Sequence, residues 1–275
     1  MRCIVENFEL NQETLRHLQL VQLEIFKKID EVCKKYEIPY SLYGGTLLGA
    51  VRHNGFIPWD DDLDIAMTRE NYDKFRDAWN NENIEGYFFQ EYENDSGFTR
   101  TFGKVRKNGT IFMGHDEVDK EYHHGIFVDI FPFDKVKDTA WSRMWHKAIG
   151  CLYLLYSRRY APTKNGKFMK GISKFLLAIT PKKWYPGICR KCKNYLTKEV
   201  KSDNFYYITY SSFRTIKWRL SKELFEGYTE MQFEDMSAMS FKQYEMYLTN
   251  TFGDYMQLPP EDDRKGSHII VDLKF

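Results

Sequence analysis

The sequence predicts a mixed α/β fold, in which a small sheet with its helices is followed by a basic helical insertion. Short apolar runs of strand character alternate with amphipathic helical patterns across residues 36–135, as expected of an α/β core. From residue 139 the pattern becomes helical and basic, and strand-like runs return near residue 205. We therefore predict a core at 1–138, an aromatic, basic helical insertion at 139–204, and C-terminal elements at 205–275 that return to the core.

The first helix is predicted to begin after Asn11, whose side chain is suited to cap a helix. Apolar residues follow at helical spacing, namely Leu15, Leu18, Val21 (or Gln22), Ile25, Ile29 and Val32. The helix should end near Ile38, because Pro39 disfavours helical backbone at the residue before it. Residues 40–43 then predict a short buried strand, and Thr46 is expected to cap a second, short helix.

Strand-like runs recur along the rest of the chain, at 62–67, 87–90, 99–106, 110–113, 126–131, 205–210 and 229–233. After the first of these, a helical pattern places Tyr72, Phe75 and Trp79 on one face. Ser240 and Gln243 have the spacing of a capping box, which predicts a last helix running toward residue 251.

The segment GFIPWDDDLDIAM, residues 55–67, places the four carboxylates of Asp60, Asp61, Asp62 and Asp64 in five positions. Alternate side chains on a strand project to the same face, so Asp62 and Asp64 are expected to point together. Two ionised carboxylates so close repel each other unless a cation lies between them or one takes up a proton. We therefore predict a divalent-metal site, and oxygen ligands favour Mg²⁺ or Mn²⁺. An exposed acidic turn is the alternative.

A further carboxylate, Asp129, lies inside the apolar run of HHGIFVDIFPFD, residues 123–134. Burying a lone carboxylate in such a strand is unfavourable unless a partner compensates for the lost hydration. If its strand lies beside that of Asp62 and Asp64, the three side chains form a metal-binding triad. The alternative places Asp129 on an exposed edge strand.

The residues Gly44, Gly45 and Thr46 lie between a predicted strand and a predicted helix, an arrangement typical of phosphate binding. Glycines allow close approach of the backbone, and the free N–H groups at the start of a helix favour an anion. Basic side chains available to contact a metal-bridged phosphate are Arg52, Lys104 and Arg106. A plain turn with solvated surface charges is the alternative.

The net charge of +1 conceals a strong asymmetry. Residues 139–198 contain 14 Lys and Arg but no Asp or Glu; subtracting these from the total of 40 leaves 26 basic residues against 39 acidic residues elsewhere. Aromatic residues interleave with the basic ones, which favours docking on anionic lipid or on a polyanionic, lipid-linked glycan. Helices packed on the core with a solvated basic face are the alternative. No recognised nucleic-acid motif is present, so we expect no nucleic-acid partner.

The five cysteines are scattered, and no apolar run reaches the roughly 18 residues of a membrane-spanning helix. We therefore expect a cytoplasmic protein, with at most a peripheral contact to the inner face of the membrane. Cys151, Cys189 and Cys192, with His146, give a weak zinc pattern because a second Cys pair is missing. Three histidines precede Asp129 and are either structural or a source of a proton shuttle: His115, His123 and His124.

Three segments of the chain resemble the LicD family of phosphocholine transferases, which are related to fukutin-like phosphotransferases. These segments are YGGTLLGAVRHNGFIPWDDDLDIAMTRENYDKF (43–75), HHGIFVDIFPFD (123–134) and FGDYMQLPPEDDR (252–264). Residues from about 140 to 225 carry no such match. The resemblance implies a nucleotidyltransferase-like fold, a mixed sheet that holds Gly-Gly-Thr, the Asp-x-Asp pair and a third Asp.

The resemblance also implies roles for individual residues. Asp62, Asp64 and Asp129 would be the metal ligands, with Asp60 as a further contributor, and Asp129 would also act as general base. The basic residues proposed to contact phosphate are Arg52, Lys104 and Arg106, with Arg264 of the third segment as a weaker candidate.

The family's reaction would start from a CDP-activated alcohol such as CDP-choline. A hydroxyl of a glycan acceptor would attack the distal phosphorus and CMP would leave, a reaction that depends on positioning and charge neutralisation. A nucleotidyltransferase that attacks the α-phosphate of CTP and releases pyrophosphate is one alternative. A catalytically inactive glycan- or membrane-binding relative is another. Incubation with CDP-choline or with CTP distinguishes these by the product released.

Overall fold

The structure is a computed structural model that describes residues 10–95, 97–161 and 166–275, with the backbone alone at 166–168. Its helices are α1 (Gln12–Lys35), α2 (Gly44–His53), α3 (Arg69–Glu82), α4 (Ala140–Arg158), α5 (Gly166–Ile179), α6 (Tyr185–Leu196) and α7 (Tyr244–Phe252). Its strands are β1 (Ser41–Leu42), β2 (Asp64–Thr68), β3 (Tyr87–Gln90), β4 (Gly103–Lys107), β5 (Ile111–Gly114), β6 (Phe127–Lys137), β7 (Phe205–Ile208), β8 (Leu220–Ser221), β9 (Tyr228–Phe233), β10 (Met236–Phe241) and β11 (Ile270–Lys274).

The main sheet has seven strands and mixes parallel with antiparallel pairs, which confirms the predicted α/β class. Its order is β1-β2-β6-β4-β3, and β7 extends it from β6, with β8 beside β7. The first half of β6 pairs in parallel with β2 and antiparallel with β4, whereas its second half pairs antiparallel with β7. Since β6 has neighbours along its length, its residues from Phe127 to Asp134 are buried, in keeping with its apolar sequence.

The register between β2 and β6 decides where the carboxylates lie. Asp64 is the Cα partner of Asp129 across the parallel pair, and the following residues stay in step as far as Thr68 opposite Phe133. Both aspartates therefore lie at the same end of the sheet, next to the start of α2. The sequence prediction that the strand of Asp129 lies beside the strand of Asp64 is confirmed.

The helices α1, α2 and α3 pack with the sheet around one large apolar core. Asn11 caps α1 by accepting a hydrogen bond from the backbone N–H of Thr14 at 2.8 Å. The predicted apolar positions of α1 are buried, with both Val21 and Gln22 facing inward. On α3 the three predicted aromatic residues, Tyr72, Phe75 and Trp79, are buried as well.

A second, smaller apolar core forms where α4 and α6 pack against β7 and the end of β6. It includes Tyr153 and Leu154 from α4, Cys189 and Leu196 from α6, and Ile208 from β7. The predicted helical character of the insertion is thus confirmed within the described residues, whereas Lys164 and its neighbours lie outside them. Across the described ranges, none of the helices combines the length and the apolar character needed to cross a bilayer.

Three local predictions were wrong. Helix α2 begins at Gly44 rather than after Thr46, because the Thr46 hydroxyl accepts a hydrogen bond from the Asp64 N–H at 2.8 Å and does not cap the helix. The strand β2 begins at Asp64, so the residues before it form a loop. Ser240 lies in β10, where pairing with β9 overrides the capping-box pattern, and α7 begins only after Gln243.

The strands β10 and β11 were not predicted. Strand β10 forms a hairpin with β9 and donates a hydrogen bond to β1, since the Phe241 N–H donates to the Ser41 hydroxyl oxygen at 2.9 Å. Strand β11 pairs antiparallel with β5, more than 150 residues earlier in the chain, and brings the preceding C-terminal loop against the carboxylate cluster. Such long-range pairing leaves little trace in the local sequence pattern.

Candidate active site

The candidate site lies at the end of the sheet where β2 begins and Asp129 enters β6. The Asp129 N–H donates to the Leu63 carbonyl at 2.9 Å, and the Asp64 N–H donates to the Thr46 hydroxyl at 2.8 Å. These bonds fix the backbone on either side of the cluster. Thr46, predicted to contact a phosphate, is buried and acts here on the backbone of Asp64.

Gly44 and Gly45 leave room for the carboxylates at the start of α2. A Cβ at Gly45 would lie 2.7 Å from Oδ2 of Asp60, closer than atoms normally approach. Gly44 has φ +58°, the left-handed region that favours glycine, and a Cβ there would lie 3.4 Å from Oδ2 of Asp64. The two glycines therefore accommodate acidic side chains directly above the first turn of the helix.

The crowding of the carboxylates favours their protonated forms. Burial, reinforced by the charges of Asp62 and Asp61, raises the pKa of Asp60 to about 9. Burial also raises the pKa of Asp62, and it raises that of Asp64 strongly, with the charges of Asp62 and Asp129 adding to the effect. Such a cluster binds either protons or a cation near neutral pH.

Lys104 and Arg106 have different settings on β4. The Lys104 ammonium lies 2.7 Å from Oδ1 of Asp129 and 3.2 Å from the ring centroid of Phe127, and burial lowers its pKa. Lys104 thus provides a counter-charge within the carboxylate cluster. Arg106, predicted to contact phosphate, is fully buried, and its guanidinium donates to the Gln90 side chain and to the Gly125 carbonyl at 2.6 Å. It therefore braces β4 and is not exposed to a ligand.

Asp61 lies beside Asp62 and fixes the C-terminal loop. Its buried carboxylate accepts hydrogen bonds from the backbone N–H groups of Ser267 and His268, each at 3.0 Å, and from the Ser267 hydroxyl. The imidazole Nδ1 of His268 lies 3.0 Å from Oδ1 of Asp61. Although burial alone would lower it, the carboxylates of Asp61 and Asp62 raise the pKa of His268. His268 could not be predicted from the sequence, because it belongs to no motif and reaches the site only through the pairing of β11.

Arg52 and Arg264 lie near each other, and both donate hydrogen bonds to backbone carbonyls. Arg52 donates to the carbonyls of Tyr255 at 3.1 Å and Gln257 at 3.3 Å. Arg264 donates to the Pro259 carbonyl at 3.0 Å. Burial lowers the pKa of Arg52, and the nearby charge of Arg264 adds to this. Arg52 thus connects α2 to the third motif, whereas the bond of Arg264 lies within that motif; their contact with phosphate stays a prediction.

The carboxylates fit a hard divalent cation by their chemistry. Oδ1 of Asp129 is buried and accepts no hydrogen bond in a favourable direction, although Lys104 is near. Asp60 and Asp62 are close enough to share a hydrogen bond, and Asp64 feels the charges of both. Four acidic side chains with few protein donors are a donor set suited to Mg²⁺ or Mn²⁺.

The spacing of the ligand atoms differs within the cluster. Among the described residues, the acidic and histidine atoms that lie within 4.8 Å of one another are those of Asp61, Asp62 and His268. Within the described ranges, Asp62, Asp64 and Asp129 do not form such a close group. Asp61 already accepts hydrogen bonds from the C-terminal loop, and metal binding by the other aspartates stays a prediction.

The weak zinc pattern does not correspond to a cluster in the described residues. Cys189 and Cys192 are buried in the second core, and Nδ1 of His146 lies 2.8 Å from the Tyr210 hydroxyl. The histidines before Asp129 have other partners: Nε2 of His123 lies 2.9 Å from Asn108, and Nε2 of His124 lies 2.8 Å from the Lys120 carbonyl. His115 is exposed at the end of β5. These placements favour structural roles.

Comparison with known proteins finds a matching family model and several similar proteins. The family model described as LicD/FKTN/FKRP, nucleotidyltransferase domain, matches residues 37–169, which include the carboxylates of both motifs. The lipopolysaccharide cholinephosphotransferase LicD of Haemophilus influenzae is 32% identical over 262 residues, which cover 93% of this chain and 96% of that protein. The ribitol 5-phosphate transferase FKRP of Mus musculus is 31% identical over 96 residues, 35% of this chain and 17% of that protein. The chain therefore belongs to the LicD/FKTN/FKRP family.

Proposed function

We propose that this protein transfers phosphocholine, or a similar alcohol phosphate, from a CDP-activated donor to a hydroxyl group of a glycan. The observation that carries the proposal is the parallel register of Asp64 and Asp129 beside Asp60 and Asp62, which gathers four carboxylates at one end of the sheet. The relatives support it by their names, since one is a lipopolysaccharide cholinephosphotransferase and the other a ribitol 5-phosphate transferase.

In this proposal Asp62, Asp64 and Asp129, with Asp60, hold Mg²⁺ or Mn²⁺. The metal, when bound, neutralises charge on the diphosphate and on the departing phosphate. Burial raises the pKa of Asp60, Asp62 and Asp64, and a bound cation would favour their ionised forms. Lys104 keeps one positive charge beside Asp129, which limits the repulsion in the free protein.

The proposed reaction is a single displacement at phosphorus. The oxygen of the acceptor hydroxyl forms a bond to the distal phosphorus of the donor, the bond from that phosphorus to the bridging oxygen breaks, and CMP leaves with the electron pair. Asp129 takes the proton of the hydroxyl. Its position opposite Asp64, at the end of the sheet where the carboxylates gather, supports this role.

The acceptor class follows from the family and from charge. We propose a cell-surface glycan or its lipid-linked precursor, handled at the cytoplasmic side of the membrane. The basic residues 139–198 favour an anionic acceptor. On the donor, the alcohol is attached to the distal phosphate, and this is the phosphate group that is transferred.

The test is to incubate the protein with CDP-choline, Mg²⁺ and a panel of sugar acceptors, and to measure CMP and the new phosphodiester. We expect CMP to form with wild type and to fall at least about 1000-fold with Asp64→Asn or Asp129→Asn, since such charge stabilisation supplies much of the rate. Asp203→Asn, an exposed carboxylate elsewhere, is the matched control and should be fully active.

Two outcomes would contradict the proposal. Release of pyrophosphate from CTP, without CMP from CDP-choline, would identify a nucleotidyltransferase instead. Failure of wild type to bind Mg²⁺ or Mn²⁺ in calorimetry would favour an inactive binding protein. Circular dichroism of each variant would show that the loss of activity does not come from unfolding.

A further inference from the structure

Helix α4 is apolar on two separate faces, of which one is buried. Tyr153 and Leu154 point into the second core. On another face Trp141, Trp145 and Leu152 are exposed at helical spacing, and Trp141 keeps 68% of its surface open to solvent. Soluble helices usually present polar residues on the face away from the core, so a second apolar face indicates a further contact.

Helix α5 continues this apolar surface. Phe175 and Ile179, four residues apart, are exposed to 63% and 58%, and Ile172 lies on the same side. Between α4 and α5 is a groove of about 480 Å³, lined by apolar side chains such as Leu152, Ile172 and Leu176. We call the exposed faces of α4 and α5, with the turn at 182–184, the insertion face.

The charge around the insertion face is positive. Lys182 and Lys183 are exposed directly before Trp184, which is itself 58% exposed. Within the described residues, five lysines of α4, α5 and the turn at 182–184 form no salt bridge: Lys147, Lys170, Lys174, Lys182 and Lys183. No acidic residue occurs from 139 to 198 to neutralise them. Exposed tryptophans and apolar side chains among unpaired lysines are the combination that binds a membrane surface.

We infer that the insertion face docks on an anionic lipid bilayer, with Trp141, Phe175, Ile179 and Trp184 entering the headgroup region and the lysines contacting lipid phosphates. A second copy of the chain suits this face less well. A symmetric dimer would bring the same basic patch of both copies together, and like charges would repel. The inference does not depend on the proposed chemistry, since lipid binding is measured without donor or acceptor.

The experiment is flotation of the full chain with phosphatidylcholine vesicles, with and without phosphatidylglycerol, at low and high salt. We expect binding only to the vesicles that contain phosphatidylglycerol, and weaker binding at high salt because the lysine contacts are screened. Each basic residue near such a surface changes partitioning about fivefold, so Lys182→Gln with Lys183→Gln should weaken it about 30-fold. Phe175→Ser with Ile179→Ser should also weaken it, and this variant removes no charge.

Matched controls use exposed residues outside the insertion face. Lys242→Gln with Lys265→Gln removes two charges, and Leu20→Ser with Val118→Ser removes two exposed apolar side chains. Both should bind the anionic vesicles as wild type does. Absence of wild-type flotation with anionic vesicles would overturn the inference, as would equal losses in controls and test variants. A dimer in sedimentation that Phe175→Ser with Ile179→Ser converts to a monomer, without vesicle binding, would assign the face to self-association instead.

Discussion

Gly45 leaves room for the Asp60 carboxylate because it has no side chain. It lies in the first turn of α2, and its backbone φ is not in the left-handed region. Glycine is needed here for space, because Oδ2 of Asp60 occupies the volume of a Cβ. The Gly-Gly-Thr pattern predicts close approach of a phosphate at this glycine, whereas in the structure it accommodates an acidic side chain.

Gly45→Ala is expected to leave the fold intact, because the atom it meets is the mobile end of a side chain. The Asp60 carboxylate should shift, and the affinity for Mg²⁺ or Mn²⁺ should fall by about 10- to 100-fold, the usual effect of disturbing the support of a metal ligand. Isothermal titration calorimetry measures the affinity.

Gly171→Ala is the control for this substitution. Gly171 lies within α5, and a Cβ there would meet no atom within 4 Å. It should leave metal affinity unchanged and raise the free energy of unfolding by up to about 1 kcal/mol, since alanine favours helix over glycine. Equal metal affinity for Gly45→Ala and wild type would show that Asp60 is not a ligand.

At the scale of elements, two sets of side-chain hydrogen bonds connect distant parts of the chain around the sheet. Arg69, at the start of α3, makes two hydrogen bonds to Asp134 of β6, at 2.8 and 3.0 Å. Asp61 ties the loop before β11 to the carboxylate cluster. Neither set is visible in local sequence, since each joins residues 65 or more positions apart.

Arg69→Met is expected to lower the free energy of unfolding by about 3–5 kcal/mol, because it leaves Asp134 buried without its charge partner. The nearly complete burial of Asp134 is what makes the effect large. Urea denaturation measures it. The double variant Arg69→Met with Asp134→Leu should recover part of the loss; if it is as unstable as the single variant, the unpaired charge is not the cause.

Asp61→Asn is expected to loosen the C-terminal loop more than the rest of the protein. The amide keeps the shape but loses charge-assisted hydrogen bonds, a loss of about 1.5–3 kcal/mol. Hydrogen exchange should accelerate at residues 266–274, and catalytic turnover should fall because Ser267 also contacts Asp62. Asp272→Asn on β11 is the control. Unchanged exchange at 266–274 in Asp61→Asn would contradict a role for Asp61 in holding the loop.

At the scale of the whole molecule, the carboxylate cluster opposes folding when it is ionised. Asp60 has a pKa of about 9 in the folded protein, and the pKa values of Asp62 and Asp64 are also raised. The unfolded chain loses these protons near the ordinary carboxylate pKa. Above that pH the folded state binds more protons than the unfolded state, so the free energy of unfolding falls as pH rises toward about 9.

Thermal unfolding from about pH 6 to about pH 9 tests this, with EDTA or with Mg²⁺. In EDTA we expect the midpoint temperature of wild type to fall as pH rises, and to fall more than that of Asp60→Asn. Magnesium should raise the midpoint most at the highest pH, because a cation displaces the bound protons, with affinity rising about tenfold per pH unit for each proton released. A magnesium effect that is the same at every pH, or largest at low pH, would contradict this linkage.

Much of the fold could be predicted from local patterns. Asn11 and the apolar spacing of α1, the aromatic face of α3 and the strand at 87–90 depend on neighbours within one element, so the sequence reveals them. The capping pattern at Ser240 failed because strand pairing with β9 took precedence. Arg106 was misjudged because an arginine is usually exposed, whereas here backbone and amide acceptors bury it.

By itself, the sequence determined the α/β class, the acidic motif, the buried Asp129 and the family to which the chain belongs. Residue type and spacing carry this information, because buried carboxylates are rare and strand and helix periods differ. The tertiary structure decided that Asp64 and Asp129 share a register, that Lys104 neutralises Asp129, and that His268 reaches the site. These depend on which distant strands pair, and a pairing between distant segments is set by the packing of the whole molecule.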